Sequence, residues 1–166
     1  MESAGSVIGA SMPSTEPGLD RPRLGFVRVV REAFAFLEDA GFAVVSEKPT
    51  FVRYESPTAF VNVFHGRGSY ELGVEFGRWV EVDDERVEQK FPLADVIALT
   101  RDLGDVGFES FTATTNEAVA TFVPRLASWA REFGHEALGG DRTVFRAIER
   151  YVVGPVGGNA GGLARF

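Results

Sequence analysis

FAVVSEKPTFVRYESPTAFVNVFHGRGSYELGVEFG, residues 42–77, decides the fold. Turn residues at Lys48-Pro49, Ser56-Pro57 and Gly66-Arg67-Gly68-Ser69 divide it into four short runs rich in Val, Phe and Tyr, the pattern of an antiparallel meander. Side chains alternate across a strand, so each turn also sorts residues by face. Closing the last hairpin at 66–69 sets His65 opposite Tyr70, Val63 opposite Leu72, Val61 opposite Val74 and Ala59 opposite Phe76. Closing the middle one at Ser56-Pro57 brings Val52 beside Val61 and Tyr54 beside Ala59, and the first turn adds Ala43 and Val45. That face is apolar throughout. The reverse face collects Val44, Ser46, Phe51, Arg53, Glu55, Phe60, Asn62, Phe64, Glu71 and Glu75, with Arg53 expected to reach across Phe60 towards Glu75.

Outward from the meander, apolar residues at Phe26, Val29, Val30, Ala33, Leu37 and Ala40 recur at helical spacing. Asp20 and Pro22 suit the start of this helix, and Gly41 followed by Phe42 suits a left-handed cap at its end. Downstream, residues 81–90 hold five acidic residues against two basic ones and read either as an extended connection or as a fifth strand. Phe91 to Gly104 reads as a second helix. Thr114 or Thr115 can cap a third near Asn116 carrying Val119, Phe122, Val123, Leu126, Trp129, Ala130 and Phe133. Pro124 either kinks that helix or marks its true start. Residues 135–140 read as a linker, and Asp141 can cap a last helix bearing Val144, Phe145, Ile148 and Val152. The whole is an α+β domain over residues 21–152, between a flexible leader (1–20) and a glycine-rich tail (153–166), with the later helices covering an edge or part of the reverse sheet face.

The 166 residues are 45% hydrophobic, enough for one core. A formal net charge of −7 argues against nucleic acid or an anionic membrane as partner and makes a basic protein the complementary one. With no cysteine, disulfides, thiolate metal sites and cysteine nucleophiles are excluded. Residues 1–20 lack the basic start and apolar centre of a secretory signal, and no run approaches the ~20 apolar residues of a spanning helix, so a soluble, cytoplasmic protein is expected.

Catalytic motifs are not apparent. Gly66-Arg67-Gly68-Ser69 lies between strands rather than before a helix, which removes it from the phosphate-cradle class. No serine sits in a nucleophile elbow, and Glu71 with Glu75 on one exposed strand do not make the opposed carboxylates of a glycosidase. Segment 81–90 lacks the spacing of a calcium loop, so no metal or cofactor is expected. His65, at a strand end near Tyr70, could serve as acid or base, although a hydrogen bond within the turn is its more ordinary role.

The runs Phe36-Leu37-Glu38-Asp39-Ala40-Gly41-Phe42, Val52-Arg53-Tyr54-Glu55-Ser56, Tyr70-Glu71-Leu72-Gly73-Val74-Glu75-Phe76 and Phe91-Pro92-Leu93-Ala94-Asp95-Val96 together resemble small bacterial α+β immunity proteins, which neutralise a toxin. The resemblance covers roughly residues 34–103 and transfers no residue role. It implies a non-enzymatic binding protein, and the negative charge without a catalytic set makes Glu71, Glu75, Asp83, Asp84, Glu85 and Glu88 the residues expected to meet a basic partner. The alternative is a small-molecule site or enzyme with Arg53, Asn62 and His65 lining a pocket between the sheet and the C-terminal helices.

Overall fold

A computed structural model describes residues 24–100 and 110–153. The leader, the proposed helix start at Asp20 and Pro22, the end of the second helix at Gly104, the side chain of Val152 and the tail beyond residue 153 lie outside the described part. The rest is α+β, built on a six-stranded antiparallel sheet. Five strands run in sequence order: β1 (Ala43–Lys48), β2 (Phe51–Glu55), β3 (Phe60–His65), β4 (Glu71–Val82) and β5 (Glu85–Pro92). The short β6 (Phe111–Thr112) pairs with the first residues of β4.

The two central hairpins are longer than their turn residues suggest. His65 pairs with Leu72, Val63 with Val74 and Val61 with Phe76, each two residues beyond the expected partner. The reason is Tyr70, which leaves the ladder at φ 56° and closes a loop in which the Gly66 N–H donates to the Glu71 carbonyl at 2.7 Å. Likewise Val52 pairs with Val63 and Tyr54 with Val61, because Ser56 to Ala59 form the whole turn, held by the Ser56 N–H on the Ala59 carbonyl at 2.8 Å. A shift of two preserves the faces. In the first hairpin the shift is of one residue, through a bulge between Val44 and Ser46, and the expected faces of Ala43, Val44 and Val45 fail, with Ala43 exposed opposite Glu55. Val44 faces Tyr54, and Val45 is 52% exposed.

The first helix comes in two pieces, α1 (Phe26–Ala33) and α2 (Phe36–Asp39). The break at Phe34 lets its ring turn into the core against Tyr54, at 6.4 Å between centroids, while Ala40 is left exposed. Gly41 at φ 88° ends α2, with its N–H on the Glu38 carbonyl and the Phe42 N–H on the Leu37 carbonyl. These are the paired bonds of a Schellman cap, and buried Phe42 folds back as that cap favours.

Phe91 and Pro92 finish β5, so the second helix, α3, begins at Leu93 and is described to Thr100. Helix α4 (Asn116–Phe133) starts behind Thr115, whose Oγ1 accepts the Ala118 N–H, and runs through Pro124 as one helix. Residues 135–140, expected as a linker, contain the short helix α5 (His135–Leu138). Asp141 accepts the Thr143 N–H at 2.7 Å to start α6 (Arg142–Val153).

All the helical packing lies against the predicted apolar face. Phe26 stacks on His65, Gly134 at the end of α4 abuts Phe76, and Phe145 of α6 meets Phe91. The later helices therefore do not move to the reverse face. Their apolar stripes need an apolar surface, and only one face of the sheet offers it.

Candidate functional site

The reverse face is a charged and aromatic lattice. Arg53 faces Asn62 across β2 and β3, and Asn62 faces Glu75 across β3 and β4. Asn62 is only 3% exposed, because Phe60 and Phe64 flank it. Each ring covers the glycine directly opposite, Phe60 over Gly77 and Phe64 over Gly73, in space that a Cβ would fill. Trp79 meets Phe60 edge-on at 5.2 Å. From the other side the Arg53 guanidinium lies 4.1 Å above the Phe60 ring.

Arg53 does not reach Glu75 as expected. Its Nε donates to Glu55 at 2.6 Å and its Nη2 to Glu88 at 2.7 Å, so it spans from β2 to β5 across the Phe60 ring. Burial works against its charge, but the bonds to Glu88 and Glu55 outweigh it and raise its pKa above the ordinary value. Glu75 instead accepts from Asn62 at 3.1 Å and from Lys90 at 3.3 Å.

Two of the six expected partner-binding acids, Glu75 and Glu88, are thus held in ion pairs on this face. Glu71 stands apart at the start of β4, beside Thr112 of β6. Asp83 and Asp84 form a turn of their own. Both have positive φ, 51° and 64°, and they join Val82 directly to its partner Glu85. This is the two-residue hairpin geometry matched to strand twist, and aspartate is among the few residues that tolerate it. Segment 81–90 is therefore strand and turn rather than loop. The alternation Val80-Glu81-Val82 before Asp83-Asp84 was the signal for it.

His65 belongs to the opposite face. It is 1% exposed, its Nε2 lies 2.8 Å from the Ala113 carbonyl, and its ring stacks on Phe26 at 5.8 Å. Arg53, Asn62 and His65 consequently line no common pocket: the helices cover His65, while Arg53 and Asn62 lie on the far side of the sheet. His65 ties β3 to Ala113, the residue that follows β6, which is a packing role.

Comparisons with protein-family models, with curated proteins and with solved structures found no match to this chain. Function has to be argued from the site alone. Among the described residues no three His, Cys, Asp or Glu side chains converge as a metal site, and no helix is long and apolar enough to cross a membrane.

Two features remain at one end of the sheet. The β4–β5 hairpin overhangs the rest, since β3 stops at Phe60, paired with Gly77, whereas β4 continues to Val82. Val82 and Val87 on this overhang are 51% and 42% exposed. Beside it lies a cavity of about 560 Å³ lined by Arg78, Arg86, Arg142 and Arg146. Neither feature was legible from the sequence, because the arginines of α6 are outward on their own helix and meet β4 only through the fold.

Proposed function

We propose that this protein is a non-enzymatic binding protein, of the kind immunity proteins represent, that engages a basic protein partner through the tip of its β4–β5 hairpin. The observation that carries this reading is the overhang itself. It projects Glu81, Asp83, Asp84 and Glu85 with no ion pair among the described residues, next to exposed Val82 and Val87. Acidic groups around a small apolar centre suit a cationic surface, the charges supplying steering and register and the valines the contact area. Glu75 and Glu88, already paired with Lys90 and Arg53, stiffen the platform from which the hairpin projects. The net charge of −7 extends the same attraction over a longer range at low salt.

The test uses Asp83→Asn, Asp84→Asn and Glu85→Gln together. Asparagine keeps the left-handed turn, so charge is removed without strain. Captured from its own cells at low ionic strength and weighed intact by native mass spectrometry, the wild-type chain should carry one basic protein that the triple variant loses. A partner held equally by both would overturn the reading.

A further inference from the structure

We propose that the cavity at the free edge of β4 binds a small anion carrying one or more phosphate groups. This does not depend on the partner-binding reading and rests on the arginines rather than the acids of the hairpin.

Past Gly77, β4 has no strand neighbour on its β3 side among the described residues. In an antiparallel ladder, main-chain groups point alternately to either side, so with Val82 paired to Glu85, Trp79 and Glu81 direct theirs to the open edge. Pro57 and Thr58 wall one end of the cavity, and Gly140, Arg142 and Arg146 the side towards α6. Gly140 is at φ 71° and lies so close to Thr58 that any side chain there would strike it, which seats the start of α6 against the β2–β3 turn. At about 560 Å³ the space suits a small organic molecule rather than a bare ion.

Four arginines are among the residues lining this space, Arg78, Arg142 and Arg146 on the helical side and Arg86 on the reverse side of the sheet, with one acid, Glu81, in a chain whose net charge is −7. Two are held in place in advance. Arg78 donates from Nε to Gln89 at 2.6 Å, Gln89 in turn is bound to Glu149, and the Arg78 guanidinium packs over Phe145. Arg86 lies 4.4 Å above the Trp79 ring. Arg142 and Arg146 are one turn apart on the same face of α6, a like-charged spacing that is mildly unfavourable by itself. Burial lowers the pKa of Arg78 below its ordinary value. Glu149 opposes that effect, and Arg146 and Arg142 add to it. Asp141 is occupied in capping α6.

Cations gathered at one cavity, two of them held in position, are complementary to a multivalent oxyanion. Arginine favours phosphate because its planar fork makes two parallel charge-assisted bonds. Pro57, Val80 and Trp79 supply a less polar part of the lining for the organic part of the molecule.

Inorganic pyrophosphate is the probe, titrated calorimetrically into the full chain and into the variant Arg142→Gln/Arg146→Gln, with sodium sulfate at matched ionic strength as the control. Both arginines are exposed, so the variant should fold with an unchanged or slightly raised Tm. The expected result is saturable binding to the wild type, weakened roughly tenfold or more in the variant, in line with losing charge-assisted bonds. Absence of binding, equal affinity in the two chains, or an equal response to sulfate would overturn the proposal.

Discussion

Tyr54 is enclosed on the helical face of β2, and its hydroxyl has no hydrogen-bond partner among the described residues. Burial pushes its pKa up to about 12, with Arg31 opposing the shift and Glu38 and Glu47 adding to it. The folded state therefore keeps the phenol proton to higher pH than the unfolded chain, which releases it near 10. The contribution of this group to stability is constant below about pH 10 and falls as pH rises from there towards 12. Replacing Tyr54 with Phe should remove that fall and cost little at pH 7, since no hydrogen bond is given up. Urea midpoints of both chains between pH 8 and 12 measure the difference; parallel curves would contradict it. Gly77 makes the opposite point about size. A methyl group there meets the Phe60 ring, so Gly77→Ala should destabilise by about 1–3 kcal/mol despite a better strand propensity, as read from the chemical denaturation midpoint.

At the scale of elements, register is what the two central turns mis-set and parity rescued. Both hairpins extend two residues beyond their expected pairings, yet an even shift returns every side chain to its own face. Val61 and Val74 should thus reject Asp, whose charge would be buried without a partner, and the variants should lose the cooperative melting transition. Val45→Asp should melt within about 0.5 kcal/mol of the wild type, because the bulge turns Val45 to solvent. If all three behaved alike, the bulge would be misplaced. The same bulge guards the sheet: β1 is an edge strand, and a bulge with Glu47 and Lys48 beside it discourages pairing with another chain. Among the described residues β5 is the other edge strand, and β4 past Gly77 is also open on its β3 side, where both proposals meet from different sides.

For the whole molecule, one sheet face carries the core and the other carries a lattice of rings and ion pairs. Hydrogen exchange should grade accordingly. Amides of β3, flanked on both sides and covered by α1 and α4, should exchange slowest, and those of residues 81–86 fastest. Protection at the hairpin tip equal to that of β3 would mean that the overhang is covered in the free protein.

Much of this was already in the sequence. Alternation in residues 42–77 specified a meander and, from Phe51 onward, which residues share a face, because a period of two depends only on local backbone geometry; the bulge in β1 broke that period. Gly41, the pair Thr114-Thr115 and Asp141 marked helix ends because such residues satisfy main-chain groups within a few residues of themselves, and the structure selects Thr115 of the pair. What tertiary structure alone decided depends on contacts between residues far apart in the chain. The break at Phe34 follows from where Tyr54 lies, and Arg53 reaches Glu88 rather than Glu75 because β5 pairs with β4 and brings Glu88 within range. The candidate sites belong to this second kind. Four arginines from β4, β5 and α6 become one cavity only after the sheet ends unevenly and α6 packs beside its edge, and no local pattern encodes a distance between elements that meet only on folding.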